Sequence, residues 1–372
     1  MTTFANPPGT PLARLRAGAT RLAEGLATPF VPADYLDMVA PLRAGADLRA
    51  RIVAISPETA DAATITLRPG RGWAGHVPGQ YIRIGIDIDG VRRWRSYSLT
   101  SPASRTDGLI TITVKAMEDG LVSRHLVHHA RPGTIVMLDQ ATGDFTLPAT
   151  PPAKILFLSG GSGITPIMGM LRSHDLSGSD VVLLHSAPTE ADVIFATELA
   201  QERPGVRVIV RHTDAEGMLS PAMLDEVVPD WRERQTWACG PTPMLDVFEE
   251  HYAGLGLTES MHVERFRPAL VAAGEGGSVT ILDRARPDAS KTFDVDGSTT
   301  ILDAAEDSGV LMRSGCRMGI CMTCVLPMTD GAVRDLRNGT VTETTTDEPP
   351  VMIQPCITAA AGACTIEQKD NS

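Results

Sequence analysis

The residues best placed to do chemistry are four cysteines near the C-terminal end. Cys316, Cys321 and Cys324 fall within nine residues, "CRMGICMTC", and Cys356 follows after 31 more. The C-x4-C-x2-C spacing with one distant partner is that of four thiolates holding a 2Fe–2S cluster. A tight loop with small residues, Gly315 and Gly319, lets three thiolates converge while backbone N–H groups point at the cluster sulfurs. The fourth ligand, from a distant segment, ties the loop to its domain. Tetrahedral zinc is the alternative, but zinc sites usually carry two C-x2-C pairs and this chain has one. Cys364, in "AAAGACTIEQ", reads as a small core residue on a closing strand, and Cys239 belongs elsewhere.

Two further stretches carry groups suited to phosphate. "RSYSLTS" (95–101) offers Arg95, whose planar guanidinium binds phosphate oxygens in bidentate fashion. "KILFLSGGSGITPIMGML" (154–171) reads as an apolar strand, a Gly-rich turn and an apolar helix. Gly160, Gly161 and Gly163 let backbone approach a phosphate, and a helix N-terminus favours negative charge. Thr165 is expected to cap that helix and Pro166 to take its first position. The turn is not G-x-G-x-x-G, so the dinucleotide fingerprint applies only in its logic. "QTWACGP" puts Cys239 at the C-terminal end of a strand, before Gly240 and Pro241. There it is either a functional thiol or a buried small hydrophobe.

The elements that must position these groups fall into three blocks. "YIRIGI" and "LITITVK" alternate apolar and polar residues, so an antiparallel β-barrel is expected over 45–150. "DVVLLHSA", "VRVIVRHT" and "QTWACGP" alternate with the helical patterns "DVIFATELAQE" and "TPMLDVFEEHYAGLG", giving a parallel α/β domain over 151–267. A small, Gly-rich linker covers 268–277. Over 278–372, two strands and a helix precede the cysteine loop, which is β-grasp order. Ser298 or Thr299 is expected to cap that helix and Gly309 to end it. Residues 1–44 form an N-terminal arm with a helical pattern, Leu12, Leu15, Leu22 and Leu26 near one face. That pattern suits either a helix packed on the barrel or a peripheral membrane contact.

Composition narrows the class. The 372 residues are 43% hydrophobic and 21% charged. No apolar run approaches the roughly 20 residues of a membrane span, and the start lacks the apolar core of a secretory signal. A cytoplasmic location is expected, membrane-associated at most through a partner. A net charge of −12 argues against nucleic acid as a partner.

These motifs together resemble the ferredoxin–NADP reductase superfamily, in the form that ends in a plant-type 2Fe–2S ferredoxin. The resemblance implies a flavin-binding barrel, an NAD(P)H-binding domain and a ferredoxin domain. In that family the Arg of R-x-Y-S pairs with flavin phosphate, the Tyr lies along the flavin, and the Ser bonds near its reactive nitrogen. Carried over, these are Arg95, Tyr97 and Ser98. "GLVSRHL" places Gly120 and Ser123 at a helix start beside the diphosphate. G-G-S-G-I-T-P and C-G-P are the family's nicotinamide-side motifs, in which Thr165 and Cys239 flank the nicotinamide and Gly240 and Pro241 shape the turn. "HVERF" matches the closing segment, with Glu264 and Phe266 near the flavin, or else is an ordinary last strand. FAD is the implied flavin, although some ferredoxin-bearing relatives use FMN. NADPH is slightly favoured over NADH. No Arg ends the second nucleotide-domain strand, and Arg211 on the third is the candidate for the 2′-phosphate.

"DYLDMVAPL", "GAVRDLRNGTVTE" and "IQPCITAAAGAC" carry a closer resemblance, to actinobacterial electron-transfer partners of fatty-acyl desaturases and alkane-type hydroxylases. The implied activity is electron transfer from NAD(P)H through flavin and cluster to such a terminal oxygenase or desaturase. A reductase for an aromatic-ring dioxygenase is the alternative. A zinc-stabilised binding module is the non-redox one. Residues 268–372 hold 15 Asp and Glu against 8 Lys and Arg, which suits docking to a basic patch or simply a solvated surface.

Overall fold

Period-two alternation of Ile and Val against polar residues builds the first unit. Its strands are β1 (Arg49–Thr59), β2 (Ala62–Pro69), β3 (Tyr81–Ile88), β4 (Val91–Ser98), β5 (Ile110–Lys115) and β6 (Ile135–Leu138). A computed structural model describes residues 40–43, 46–118, 120–266, 275–283, 290–310, 312–315, 317, 319 and 322–368. The arm up to residue 39 and most of the linker therefore lie outside the described residues, as do Cys316 and Cys321. The six strands form one antiparallel sheet in the order β4-β3-β6-β1-β2-β5. An isolated antiparallel bridge, Leu99 to Ile112, joins its two edges and closes the sheet into a barrel. Ile52, Ile65, Ile82, Ile84 and Ile112 fill the interior.

Near-continuous apolar runs build the second unit, as expected for strands covered on both faces. Its strands are β7 (Lys154–Gly160), β8 (Asp180–Ala187), β9 (Val206–His212), β10 (Gln235–Cys239) and β11 (Met261–Glu264). They pair in parallel in the order β11-β10-β7-β8-β9. One face packs on helix α1 (Ile164–Ser173) and the other on α2 (Thr242–Gly254). The "DVIFATELAQE" pattern yields only one helical turn, Ala196–Leu199.

Helix α1 also fixes the barrel to this sheet. A Cβ on Gly169 would lie 2.4 Å from the Leu99 carbonyl oxygen, so glycine permits the close approach. Arg172 Nη1 donates to the Thr100 carbonyl at 2.7 Å. The end of β4, which carries Ser98, is thereby held against the helix that follows the Gly-rich turn.

The third unit holds β12 (Gly277–Asp283), β13 (Lys291–Val295), helix α3 (Ile301–Asp307), β14 (Leu326–Asp335), β15 (Val341–Thr344), β16 (Val351–Ile353) and β17 (Thr358–Gln368). Sheet order is β13-β12-β17-β14-β15, with β16 on β14. The central β12–β17 pairing is parallel and its flanks are antiparallel, the β-grasp arrangement. The cap of α3 differs from expectation. Thr300 takes the role, its hydroxyl accepting the Asp303 N–H at 3.1 Å. Ser298 and Thr299 are drawn away because both bond Asp296. Gly309 sits just past the helix at φ +76°, where a helix end favours glycine.

Candidate functional site

Three groups of residues gather at the ends of these elements. Cys324 and Cys356 come from the cysteine loop and the segment before β17. Their sulfurs lie 3.1 Å apart, both buried in the third core. Two converging thiols in this position fit a thiolate-ligated cluster, with Cys316 and Cys321 outside the described residues. Cys364 does not join them. It lies on β17, opposite Val279, and burial pushes its thiol up to about 11.

Arg95, Tyr97 and Ser98 lie on β4. The Arg95 guanidinium is half-buried and donates to the Trp94 carbonyl at 2.8 Å. Burial, then the positive charge of Arg317, lowers it to about 10. A desolvated cation set among few acceptors fits an anionic phosphate. Burial raises the Tyr97 phenol, keeping it neutral. Gly120 is the N-cap of the one-turn helix Leu121–Arg124, and Ser123 lies inside that turn. The Ser123 hydroxyl donates to the Gly120 carbonyl and accepts the Met117 N–H.

The Gly-rich turn is tighter than its sequence indicates. Gly161–Gly163 form a 3-10 turn that runs straight into α1. The N-cap of α1 is Gly163 and Thr165 is its second residue, not its cap. The early turn starts the helical hydrogen bonding before Thr165, whose hydroxyl bonds the Ser162 carbonyl at 2.9 Å. A Cβ on Gly163 would fall 2.0 Å from the Cys239 carbonyl oxygen. Gly161 has φ +52° with open space above it, a cradle suited to a phosphate. Gly240 and Pro241 close the other side, the proline ring 2.8 Å from where a Cβ on Gly160 would sit.

A row of polar side chains runs across the parallel sheet beneath this turn. Glu264, Cys239, Ser159 and His185 occupy matched positions on four adjacent strands. Ser159 Oγ and His185 Nδ1 are 2.8 Å apart. Burial pushes His185 down to about 4, so it is neutral. Burial, reinforced by Asp144, raises the Glu264 carboxyl to about 7. Burial and then Glu264 push the Cys239 thiol well up. The sequence reading named Cys239 and Glu264 and missed Ser159 and His185, which lie on separate strands with no spacing to link them. Phe266 is exposed at the end of the second unit. Arg211 is engaged: its Nη2 lies 3.2 Å from Glu216 Oε2.

Comparison with known proteins assigns the three units to known domain families. Residues 51–147 match the oxidoreductase FAD-binding domain, 157–250 the oxidoreductase NAD-binding domain and 286–361 the 2Fe-2S iron-sulfur cluster binding domain. An "NADPH oxidoreductase" of Mycobacterium tuberculosis is 46% identical over 356 residues, 93% of this chain and 91% of that protein. A "Glycine betaine monooxygenase reductase subunit" of Chromohalobacter salexigens is 32% identical over 78% of this chain and 86% of its own length. The solved structure of phthalate dioxygenase reductase superposes with a TM-score of 0.59 at 20% identity, covering 86% of this chain and 97% of that one, a likeness of fold. The chain belongs to the ferredoxin–NADP reductase superfamily, in its form with a C-terminal 2Fe–2S ferredoxin domain. It is an oxidoreductase of the ferredoxin-reductase electron-transfer type, using NAD(P)H, FAD and a 2Fe–2S cluster.

Proposed function

We propose that this reductase oxidises NADPH and passes the electrons to a membrane-bound fatty-acyl desaturase or alkane-type hydroxylase. The observation that carries the electron route is the buried Cys324–Cys356 sulfur pair, built on the same chain as a phosphate cradle. The balance is one NADPH and two oxidised acceptors giving NADP⁺, one proton and two singly reduced acceptors. When bound, the flavin supplies hydride acceptance with single-electron release, and the cluster supplies one-electron carriage.

The chain's own residues hold these groups. Cys316, Cys321, Cys324 and Cys356 ligate the cluster. Arg95 binds flavin phosphate, Tyr97 covers the flavin with its neutral ring, and Ser98 donates a hydrogen bond to it. Gly120 and Ser123 would shape the turn at the diphosphate, and Phe266 would lie near the flavin. Gly160, Gly161 and Gly163 receive the nucleotide diphosphate. Thr165, Cys239, Gly240 and Pro241 shape the nicotinamide slot, where Glu264 holds a proton at its carboxyl. Arg211 takes the 2′-phosphate, displacing Glu216, and the name of the M. tuberculosis relative supports NADPH. The domain limits 45–150, 151–267 and 278–372 belong to this reading, supported by the three matched segments.

The acceptor rests on the closer resemblance in the sequence, and the arm at 1–44 suits it as a contact with the partner's membrane. Among the described residues no helix is long and apolar enough to cross a membrane. Reductase components of monooxygenases among the relatives favour the second reading, an oxygenase of another kind. Reconstitution decides. The purified reductase is combined with desaturase-bearing membranes, an alkane hydroxylase or a ring dioxygenase, and product is measured per NADPH oxidised. Coupled turnover with the dioxygenase alone would overturn the membrane-enzyme reading.

A further inference from the structure

The inner side of the cysteine loop meets the flavin barrel through a small set of polar contacts. Glu306, on the last turn of α3, stands between two arginines from different units. Arg93 Nη1, from β4 of the barrel, lies 3.5 Å from its Oε2. Arg317, inside the cysteine loop, bonds its other oxygen, Oε1. Arg317 is also held by Asp303, one turn earlier on the same helix. The side chains of Glu306 and Arg317 are each 15% exposed and that of Arg93 is 23% exposed, so water screens the triad only in part. A second contact runs parallel to it: Arg83 Nη1, on β3, donates to the Thr323 hydroxyl of the same loop at 2.8 Å.

The charge balance makes Glu306 the central member. Arg93 and Arg95 project from one face of β4, two residues apart, and Arg317 is close enough to Arg95 to disfavour its charge. Three guanidinium groups converge where the barrel meets the loop. Glu306 is the carboxylate that touches cations from both sides. Without it the two units would present like charges to each other, half-buried, and repel. Arg93 and Glu306 belong to none of the cysteine, R-x-Y-S or glycine motifs, whereas Arg317 lies in the first and Arg95 in the second.

We propose that Glu306, shared by Arg93 and Arg317, is an interdomain clasp that holds the cysteine loop at the flavin-phosphate end of β4 and so sets the flavin-to-cluster approach. It is a positioning residue. It moves no electron itself; it would hold the two units at the separation across which bound flavin and cluster would exchange single electrons. The inference rests on the flavin-to-cluster route of the proposed function. Hydride transfer and the cluster's own spectrum test that route separately.

The experiment uses the full-length holoprotein with Glu306→Gln, Arg93→Gln and Arg93→Lys. Stopped-flow absorbance follows flavin reduction by NADPH and cluster reduction at separate wavelengths. Hydrogen exchange of the segments around 91–98 and 299–307 reports the contact without reference to activity. Flavin reduction and the oxidised cluster spectrum are expected to stay at wild-type values in all three. Cluster reduction should slow roughly tenfold or more in both Gln variants, the size of loss that small misplacements of reacting groups produce. Exchange should rise in both segments together. Arg93→Lys, which keeps the cation, should recover most of the rate. Arg93→Gln leaves the Arg317–Asp303 pair inside the ferredoxin unit intact, so it tests the clasp even if Glu306→Gln disturbs the loop. Wild-type cluster reduction or unchanged exchange in Arg93→Gln overturns the proposal. So does equal loss in Arg93→Lys and Arg93→Gln.

Discussion

Cys356 and Cys364 are equally buried, at 3% exposure each, yet among the described residues only Cys356 faces another thiol. Cys364→Ser is therefore expected to retain the cluster's visible spectrum, whereas Cys356→Ser loses it; the opposite pattern would reassign the fourth ligand. Glu264 gives a pH prediction with a definite sign. Its carboxyl holds a proton up to about 7 in the folded chain, against an ordinary value of 4.5. Folding is therefore most favoured below about 4.5, and that contribution is lost as pH rises to about 7. Glu264→Gln is neutral throughout. It should match wild type in denaturant midpoint near the acid end and exceed it above pH 7, and a constant difference across the range would count against the shift. For Arg211, Arg211→Gln should raise the KM for NADPH several-fold and leave that for NADH nearly unchanged, as loss of one charge-assisted contact implies. Equal effects on the two nucleotides would return Arg211 to a plain strand-end charge paired with Glu216.

At the scale of elements, much of the fold was legible because its strands carry strong patterns. Ile82, Ile84 and Ile86 alternate into the barrel core, and the apolar run 155–158 is buried on both faces. The cysteine motif was legible because loop geometry constrains spacing. What stayed hidden depends on competition or on distance. Thr300 caps α3 because Asp296 claims the two hydroxyls before it, a contest among neighbours that pattern does not rank. The Gly161–Gly163 turn took over the start of α1 from Thr165 for a similar local reason. The Glu264–Cys239–Ser159–His185 row and the Glu306 triad join residues far apart in sequence, and no spacing announces either. The third unit has its own core and sheet, which leads to a modular prediction. A chain ending near residue 267 should bind flavin and reduce ferricyanide with NADPH, yet reduce cytochrome c poorly. Loss of flavin reduction in that truncation would mean the ferredoxin unit is needed to build the flavin site.

For the whole molecule, the cysteine loop has an inner and an outer side. The inner side meets the barrel through Thr323, and the helix that holds Arg317 meets it through Glu306. On the outer side Met322 is 62% exposed and Met352 is 60% exposed, and Gln354 links to the Met322 sulfur at 3.1 Å. From 338 to 356 the sequence holds Glu343, Asp347 and Glu348 and no Lys or Arg. This exposed methionine face is the expected exit for electrons that would reach the cluster; three carboxylates lie near it in sequence, and Arg337, paired with Asp335, lies against Gly319. A protein acceptor with a basic rim would be steered there, which speeds encounter more than it tightens the complex. Screening lengths shrink from about 30 Å at 0.01 M salt to about 8 Å at 0.15 M. The second-order rate constant for reduction of cytochrome c, a basic protein, should therefore fall steeply over that range. The unimolecular flavin-to-cluster rate, followed without acceptor, should change far less because its ion pairs are half-buried. Asp347→Asn with Glu348→Gln should lower the bimolecular rate at low salt and flatten its salt dependence, leaving the unimolecular step alone. A salt-independent bimolecular rate in the wild-type protein would assign the acidic surface to solvation and move the exit away from this face.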